Sequence, residues 1–366
     1  MSNQFDIVPA ETSTPASIWQ RIKGPLITVV ALVVVFGWLL PQIIDYGAVV
    51  DALSSLTWAN LALLAALTAL RVVTEALVYR AMLPGLRIWP GSEAYLSSNV
   101  AANFLPPPAP SVIQFAYFRS EDFGAESSMT GAVGSFVFPQ AGRIVLPLVA
   151  FAALLVTGQA DGTALVITLV ALAITVVIAV VVRMIGRSET SARWVGKQLA
   201  RLVSWVLVKF KRDPIDDLGP QVVDFRDNAY SIVRERWLFG SISVAANLAL
   251  SYLILLAALR FLDVPSNDLS NVVIFACFAG AFFAGTVIPI TGSGLGIVDA
   301  VLIGSLGAAA SATDNNVIVA AVVIWRIFYS LVTLPFGALT MTVFTRRHPG
   351  LISGARTAFA GDDVED

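Results

Sequence analysis

Five ionisable side chains stand in stretches otherwise apolar enough to lie inside a membrane: Arg71, Glu75, Arg143, Asp299 and Arg326. An arginine at the centre of a membrane helix costs about 2.5–3.5 kcal/mol even on a lenient insertion scale, so three of them require roughly 8–10 kcal/mol of compensation. Glu75 follows Arg71 by four residues and shares its helix face; Asp299 is the second available acid. Three cations against two anions leave one surplus positive charge. Arginine binds phosphate oxygens bidentately, so a surplus arginine among hydrogen-bond donors suits a phosphate headgroup. A structural reading stays open beside it: Arg71–Glu75 and Arg326–Asp299 as ion pairs, with Arg143 bonded to backbone carbonyls. Arg260, at the end of its apolar run, can snorkel outward toward Asp263.

Two interrupted stretches accompany these charges. "FAGTVIPITGSGLGIVDA", residues 283–300, starts as a membrane helix and breaks at Pro289, followed by Gly292, Gly294 and Gly296. "NFLPPPAPSVIQF", residues 103–115, breaks at Pro106 after Asn103. Irregular backbone at membrane depth is tolerated only where it is buried in protein or lines a watery cavity. The glycines let backbone amides approach a ligand, and amides at a helix start favour an anion. Thr291 or Ser293 would cap the returning helix of the second stretch. Ser111 would cap that of the first, with Gln114 as a neutral hydrogen-bonding group one turn on. Asn99, Gln140, Asn247 and Tyr329 are further candidates to line the same cavity, or to glue helices together. One cysteine, Cys277, and one histidine, His348, make a Cys/His metal site unexpected, and no cofactor is implied. "GSGLG" is not read as a nucleotide loop, because no strand precedes it and no Gly-Lys-Ser/Thr follows.

The elements that must position these groups are membrane helices. The 366 residues are 57% hydrophobic and 13% charged, with mean hydropathy +0.79, outside the range of soluble domains. Full spans of about 20 residues read at 25–44, 59–79, 128–157, 161–183, 237–262 and 316–345. The broken segments are 92–118 and 271–312. Residues 1–19 and the end of a 346–366 tail read as disordered. No cleavable signal is convincing, so the first span reads as a retained anchor. An N-terminus in the cytoplasm sends every Lys and Arg outside the apolar runs to the cytoplasmic side, and Asp45, Asp51, Asp161, Asp263, Asp268 and Asp314 outward, as the positive-inside rule requires. This sorting holds only if both broken segments are re-entrant hairpins, entering from opposite faces.

Pro106 and Pro289 lie 183 residues apart, and so do Arg143 and Arg326. The shared offset predicts an all-α polytopic protein of six full spans and two re-entrant hairpins, arranged as an inverted repeat of units 20–157 and 158–345. The insert 187–236 carries "SARWVGKQLARLVSWVLVKFKRD", a basic amphipathic stretch suited either to an anionic membrane surface or to packing on the protein itself.

At these residues the sequence resembles the flippase-like family that includes the transmembrane region of lysylphosphatidylglycerol synthases. The resemblance rests on Asn103, Leu105 and Pro106, on Arg143, on Pro289 and Gly294-Leu295-Gly296 with Asp299 three residues on, and on Arg326. It departs from the family where Pro110-Ser111 and Gln114 replace a glycine–glutamate and an arginine, and where Asp299 replaces a glutamate. No aminoacyltransferase domain accompanies the sequence, so the resemblance implies translocation and not lysyl-lipid synthesis.

The expectation is a non-enzymatic lipid transporter of the plasma membrane, multi-pass with both termini cytoplasmic. Its cargo would be an anionic phospholipid or a polyprenyl-phosphate-linked glycolipid. Arg143, Arg326, Asp299, Arg71, Glu75, Asn103, Ser111, Gln114, Gly292, Gly294 and Gly296 would form the binding set. A second copy of the chain or envelope-synthesis enzymes are the expected protein partners, and nucleic acid is not. A membrane glycosyltransferase and a non-transporting scaffold are the alternatives.

Overall fold

The computed structural model describes Gly47, residues 54–104, 109–159, 173, 176–177, 180–181, 183–184, 187–209, 219–287, 294, 296–352 and 354–355. The expected first span, most of the expected span 161–183, both terminal tails, Pro106, Pro289, Thr291, Gly292, Ser293 and Leu295 lie outside these residues. From Ala48 on, the described residues form one compact unit, and all its regular elements are helices.

The helices are α1 (Trp58–Met82), α2 (Ile88–Phe104), α3 (Ala109–Ser120), α4 (Ala125–Val156), α5 (Glu189–Lys209), α6 (Gly219–Phe261), α7 (Asn271–Val287), α8 (Ile297–Ala309), α9 (Asn315–Tyr329) and α10 (Leu334–Arg347). Trp58–Met82, Ala125–Val156, Arg236–Phe261 and Asn315–Arg347 are long and apolar enough to cross a membrane. The protein is therefore a multi-pass membrane protein.

Thr57 caps α1 by accepting from the Asn60 amide. Its inward face reads Leu64, Thr68, Arg71, Val78 and Met82, a helical period of three to four residues. Its outward face, Leu63, Leu70 and Val73, is exposed and apolar. With both faces apolar, the inward one is marked by its polar members.

α1 and α6 pack antiparallel. Asn247 of α6 donates to the Arg71 carbonyl and to Thr74, while Ala81, ten residues on in α1, sits beside Gly240, seven residues back in α6. α10 lies against α2 so closely that a Cβ on Gly337 would come within 2.1 Å of the Leu96 carbonyl oxygen, which no other residue would permit.

The broken segments each form two mutually packed short helices, α2 with α3 and α7 with α8. Seventeen and twelve or thirteen residues make lengths of about 18–26 Å, less than a ~30 Å hydrocarbon core. The outer ends of each pair meet. Arg87, just before α2, pairs with Glu121, just after α3, at 3.0 Å. Asp268, just before α7, accepts from the Ser311, Ala312 and Thr313 amides and the Ser311 and Thr313 hydroxyls, just after α8. Because α1 leads into the first pair and antiparallel α6 into the second, the two meeting points lie at opposite ends of the bundle.

Three expectations need correction. The last span is not one helix: α9 ends at Tyr329, a 3-10 turn runs Leu331–Thr333, and α10 restarts at Leu334 with Pro335 in its first turn. Proline is tolerated there because first-turn amides have no intrahelical acceptor. Ser111 lies within α3 and so does not precede it as a cap. Arg260 does not reach Asp263; it donates to the Val264 and Leu269 carbonyls and to the Asn271 side chain.

The amphipathic α5 packs against α6 with Ala192, Val195 and Ala200 buried, while Trp194 stays exposed. Its small apolar residues therefore face the protein, and at least one large aromatic faces outward.

Candidate functional site

The break in the last span leaves carbonyls without helical partners, as any helix end does. Buried side chains from the first half take them up. Thr68 Oγ1 donates to the Phe328 carbonyl at 2.9 Å, Arg71 Nη2 to the Tyr329 carbonyl at 2.5 Å, and Asn99 Nδ2 to the Ser330 carbonyl at 3.3 Å and Thr333 Oγ1 at 2.9 Å. Asn103 belongs to the same network: its Oδ1 accepts from Ser330 Oγ, and its Nδ2 donates to the Asn99 carbonyl. Arg71 is 1% exposed; it also bonds the Tyr95 hydroxyl and lies over the Tyr329 and Tyr95 rings. A cation at the C-terminal end of α9 is favoured by the helix dipole as well.

Beside this junction lies a polar cavity of about 100 Å³, formed by α1 to α4 and Tyr329. Its charged residues are Arg71, Glu75 and Arg143; Tyr79, Tyr95, Ser98, Asn99, Gln114, Ser135 and Gln140 supply neutral polar groups. Gln114 organises one wall. Its amide donates to Tyr79 Oη at 2.8 Å and to Ser98 Oγ at 3.3 Å, and its oxygen accepts from Ser135 Oγ at 2.9 Å.

The three arginines differ in their partners. Arg326 makes a bidentate bridge to Asp299, at 2.6 and 2.8 Å, and does not line the cavity. Asp299 also accepts from the Gly296 amide at 2.9 Å, so the anion held at the start of α8 is the protein's own carboxylate. Gly296 has φ +89°, a conformation open to glycine but strained for other residues. Arg71 faces Glu75 at 3.7 Å. Arg143 has no carboxylate partner among the described residues: it donates to Gln140 Oε1 at 3.0 Å and lies 5.3 Å from the Phe282 ring centre. Its Nε is buried without a hydrogen bond. The surplus cation expected from the charge count is thus Arg143, and it is not bonded to hairpin carbonyls.

The structure gathers Arg71, Glu75, Gln114 and Arg143 in one cavity, with Asn99, Gln140 and Tyr329. Arg326, Asp299, Asn103, Ser111, Gly294 and Gly296 do not line it. Sequence reasoning missed Tyr79, Tyr95, Ser98 and Ser135. Their signal was helical spacing: Arg71, Glu75 and Tyr79 are successive fourth residues, as are Ser135, Pro139 and Arg143.

α4 lines a second cavity as well. Phe138, Ala141, Gly142, Val145, Leu146 and Val149, with residues of α6 and Phe275 of α7, bound an apolar groove of about 470 Å³.

The family model for the lysylphosphatidylglycerol synthase TM region matches residues 26–337. The chain belongs to this family. The match spans every helix from α1 to α9, so both cavities lie within the family's shared region. No curated protein matches the chain.

Proposed function

We propose that the protein is a lipid transporter, moving an anionic phospholipid or a polyprenyl-phosphate-linked glycolipid between leaflets of the plasma membrane without converting it chemically. The observation that carries this reading is Arg143, an arginine without a carboxylate partner on the wall of a polar cavity, one residue from the apolar groove lined by Gly142. A phosphate accepts from a guanidinium, and hydrocarbon chains fill an apolar groove. One turn of α4 thus offers both surfaces a lipid requires.

The fold supports alternation between leaflets. The two short-helix pairs close at opposite ends of the bundle, as re-entrant hairpins of an inverted repeat would, and such repeats expose a central site to each side in turn. Arg80, Arg87 and Arg119 gather at one end, Asp263, Asp268 and Asp314 at the other, which favours cytoplasmic termini. Spans 25–44 and 161–183 complete the six-span topology in this reading.

Reconstitution in vesicles with a headgroup-labelled anionic phospholipid tests it. Wild type is expected to move label between leaflets, and Arg143→Gln to slow it at least tenfold while remaining monodisperse. Equal rates in protein-free vesicles, wild type and variant would overturn the proposal. Mass spectrometry of co-purified lipids should show one anionic class enriched with wild type and lost with Arg143→Gln.

A further inference from the structure

The charge inside the polar cavity can be counted. Arg71 and Arg143 contribute two positive charges and Glu75 one negative, while Arg326 and Asp299 neutralise each other away from it. The remaining titratable groups facing Glu75 are phenols: Tyr79 from α1, Tyr95 from α2 and Tyr329 from α9. α3 and α6 present the neutral amides Gln114 and Asn247. With Glu75 ionised the cavity therefore holds one surplus positive charge.

Glu75 is the member of this set that can change. Arg71 is fixed by the Tyr95 hydroxyl and the Tyr329 carbonyl, and arginine does not deprotonate in proteins. The Glu75 oxygen lies 3.7 Å from Arg71 Nη1, beyond direct hydrogen-bond distance. In so small and enclosed a space an unbalanced charge is costly, so the charge of an entering anion must match the surplus.

We infer that Glu75 selects the charge of the headgroup this cavity accepts. An ionised Glu75 leaves room for one negative charge, which a phosphodiester supplies. A phosphomonoester carries close to two charges above its second pKa of about 6, and balances the site only when Glu75 takes up a proton from solvent. Glu75 is thus a specificity-determining residue, and binding of a dianionic headgroup is linked to uptake of one proton. The inference rests on the cavity being the headgroup site proposed above.

The test uses the purified full chain in detergent, with dihexanoyl phosphatidylglycerol as the phosphodiester probe and dihexanoyl phosphatidic acid as the phosphomonoester, at pH 8.5. Wild type is expected to bind the diester at least tenfold more tightly. Glu75→Gln raises the surplus to two and should reverse that order, tightening the monoester about tenfold or more. Gln114→Glu lowers the surplus to zero and should weaken both probes at least tenfold, which keeps the count testable if Glu75→Gln does not fold. An unchanged preference in Glu75→Gln, or undiminished binding in a folded Gln114→Glu, overturns the inference. If Arg143→Gln binds both probes as wild type does, the headgroup site itself is misplaced.

Discussion

Arg143 and Arg326 occupy matching places in the two halves, 183 residues apart, yet their surroundings differ. Arg326 is held by both oxygens of Asp299, which also ties down the first amide of α8. Arg143 meets only the Gln140 amide and the Phe282 ring. The hairpin of the first half carries Ser111 and Gln114 and no acid. One half thus uses its arginine as a structural tie, and the other leaves it available. Two similar units need not share a chemical role, and the acid opposite the arginine decides which role each takes.

Breaking the tie should have the largest effect. Asp299→Asn leaves Arg326 buried without its counter-charge, and removing one partner of a buried pair costs about 3–5 kcal/mol. Thermal unfolding in detergent should show a clear loss of stability, largely recovered when Arg326→Met is added. Arg143→Gln should change stability by about 1 kcal/mol or less, since no ion pair is lost. If both single variants destabilise equally, the contrast between the halves is false.

A middle effect is expected at the helix junction. Arg71→Met uncaps the Tyr329 carbonyl and removes the cation over two rings, a loss of about 2–3 kcal/mol. It should also loosen α9–α10, read as faster amide exchange around Ser330.

The smallest effect sharpens a comparison of the hairpin mouths. Arg87–Glu121 is a single contact with Arg87 exposed, worth about 0–1 kcal/mol at most. Asp268 accepts five hydrogen bonds, and those from Thr313, then Ser311, hold its carboxyl well below the usual aspartate range. Its folded pKa is depressed, so the stabilisation is complete above the unfolded value of about 4 and fades as pH falls toward the folded one. Amide exchange at Ser311, Ala312 and Thr313 should stay protected at pH 5 and lose protection in stronger acid. Asp268→Asn should remove that pH dependence.

Much of this was legible in the sequence, because a hydrocarbon core imposes length and polarity on whatever crosses it. The reading 59–79 became Trp58–Met82, and 237–262 became Arg236–Phe261. The buried arginines and their acids were visible because each is so costly. The break after Tyr329 was not, since Ser330, Thr333 and Pro335 sit in an apolar run where serine and threonine are common. Only the capping side chains 231 to 260 residues away reveal it. Gln114 was read as a ligand-facing group; its three hydrogen bonds to Tyr79, Ser98 and Ser135 make it a wall.

Those capping contacts also bear on how the chain is made. Thr68, Arg71 and Asn99 emerge from the ribosome more than 200 residues before their acceptors at Phe328, Tyr329 and Ser330. At ordinary synthesis rates that is on the order of 10–50 s. During this interval their polar groups must be met by water, by translocon surfaces or by temporary partners. Nascent chains stopped before residue 326 should therefore leave α1 and α2 open to protease, and chains extended past residue 340 should protect them. Assembly of the first half is completed by nearly the last segment to be synthesised.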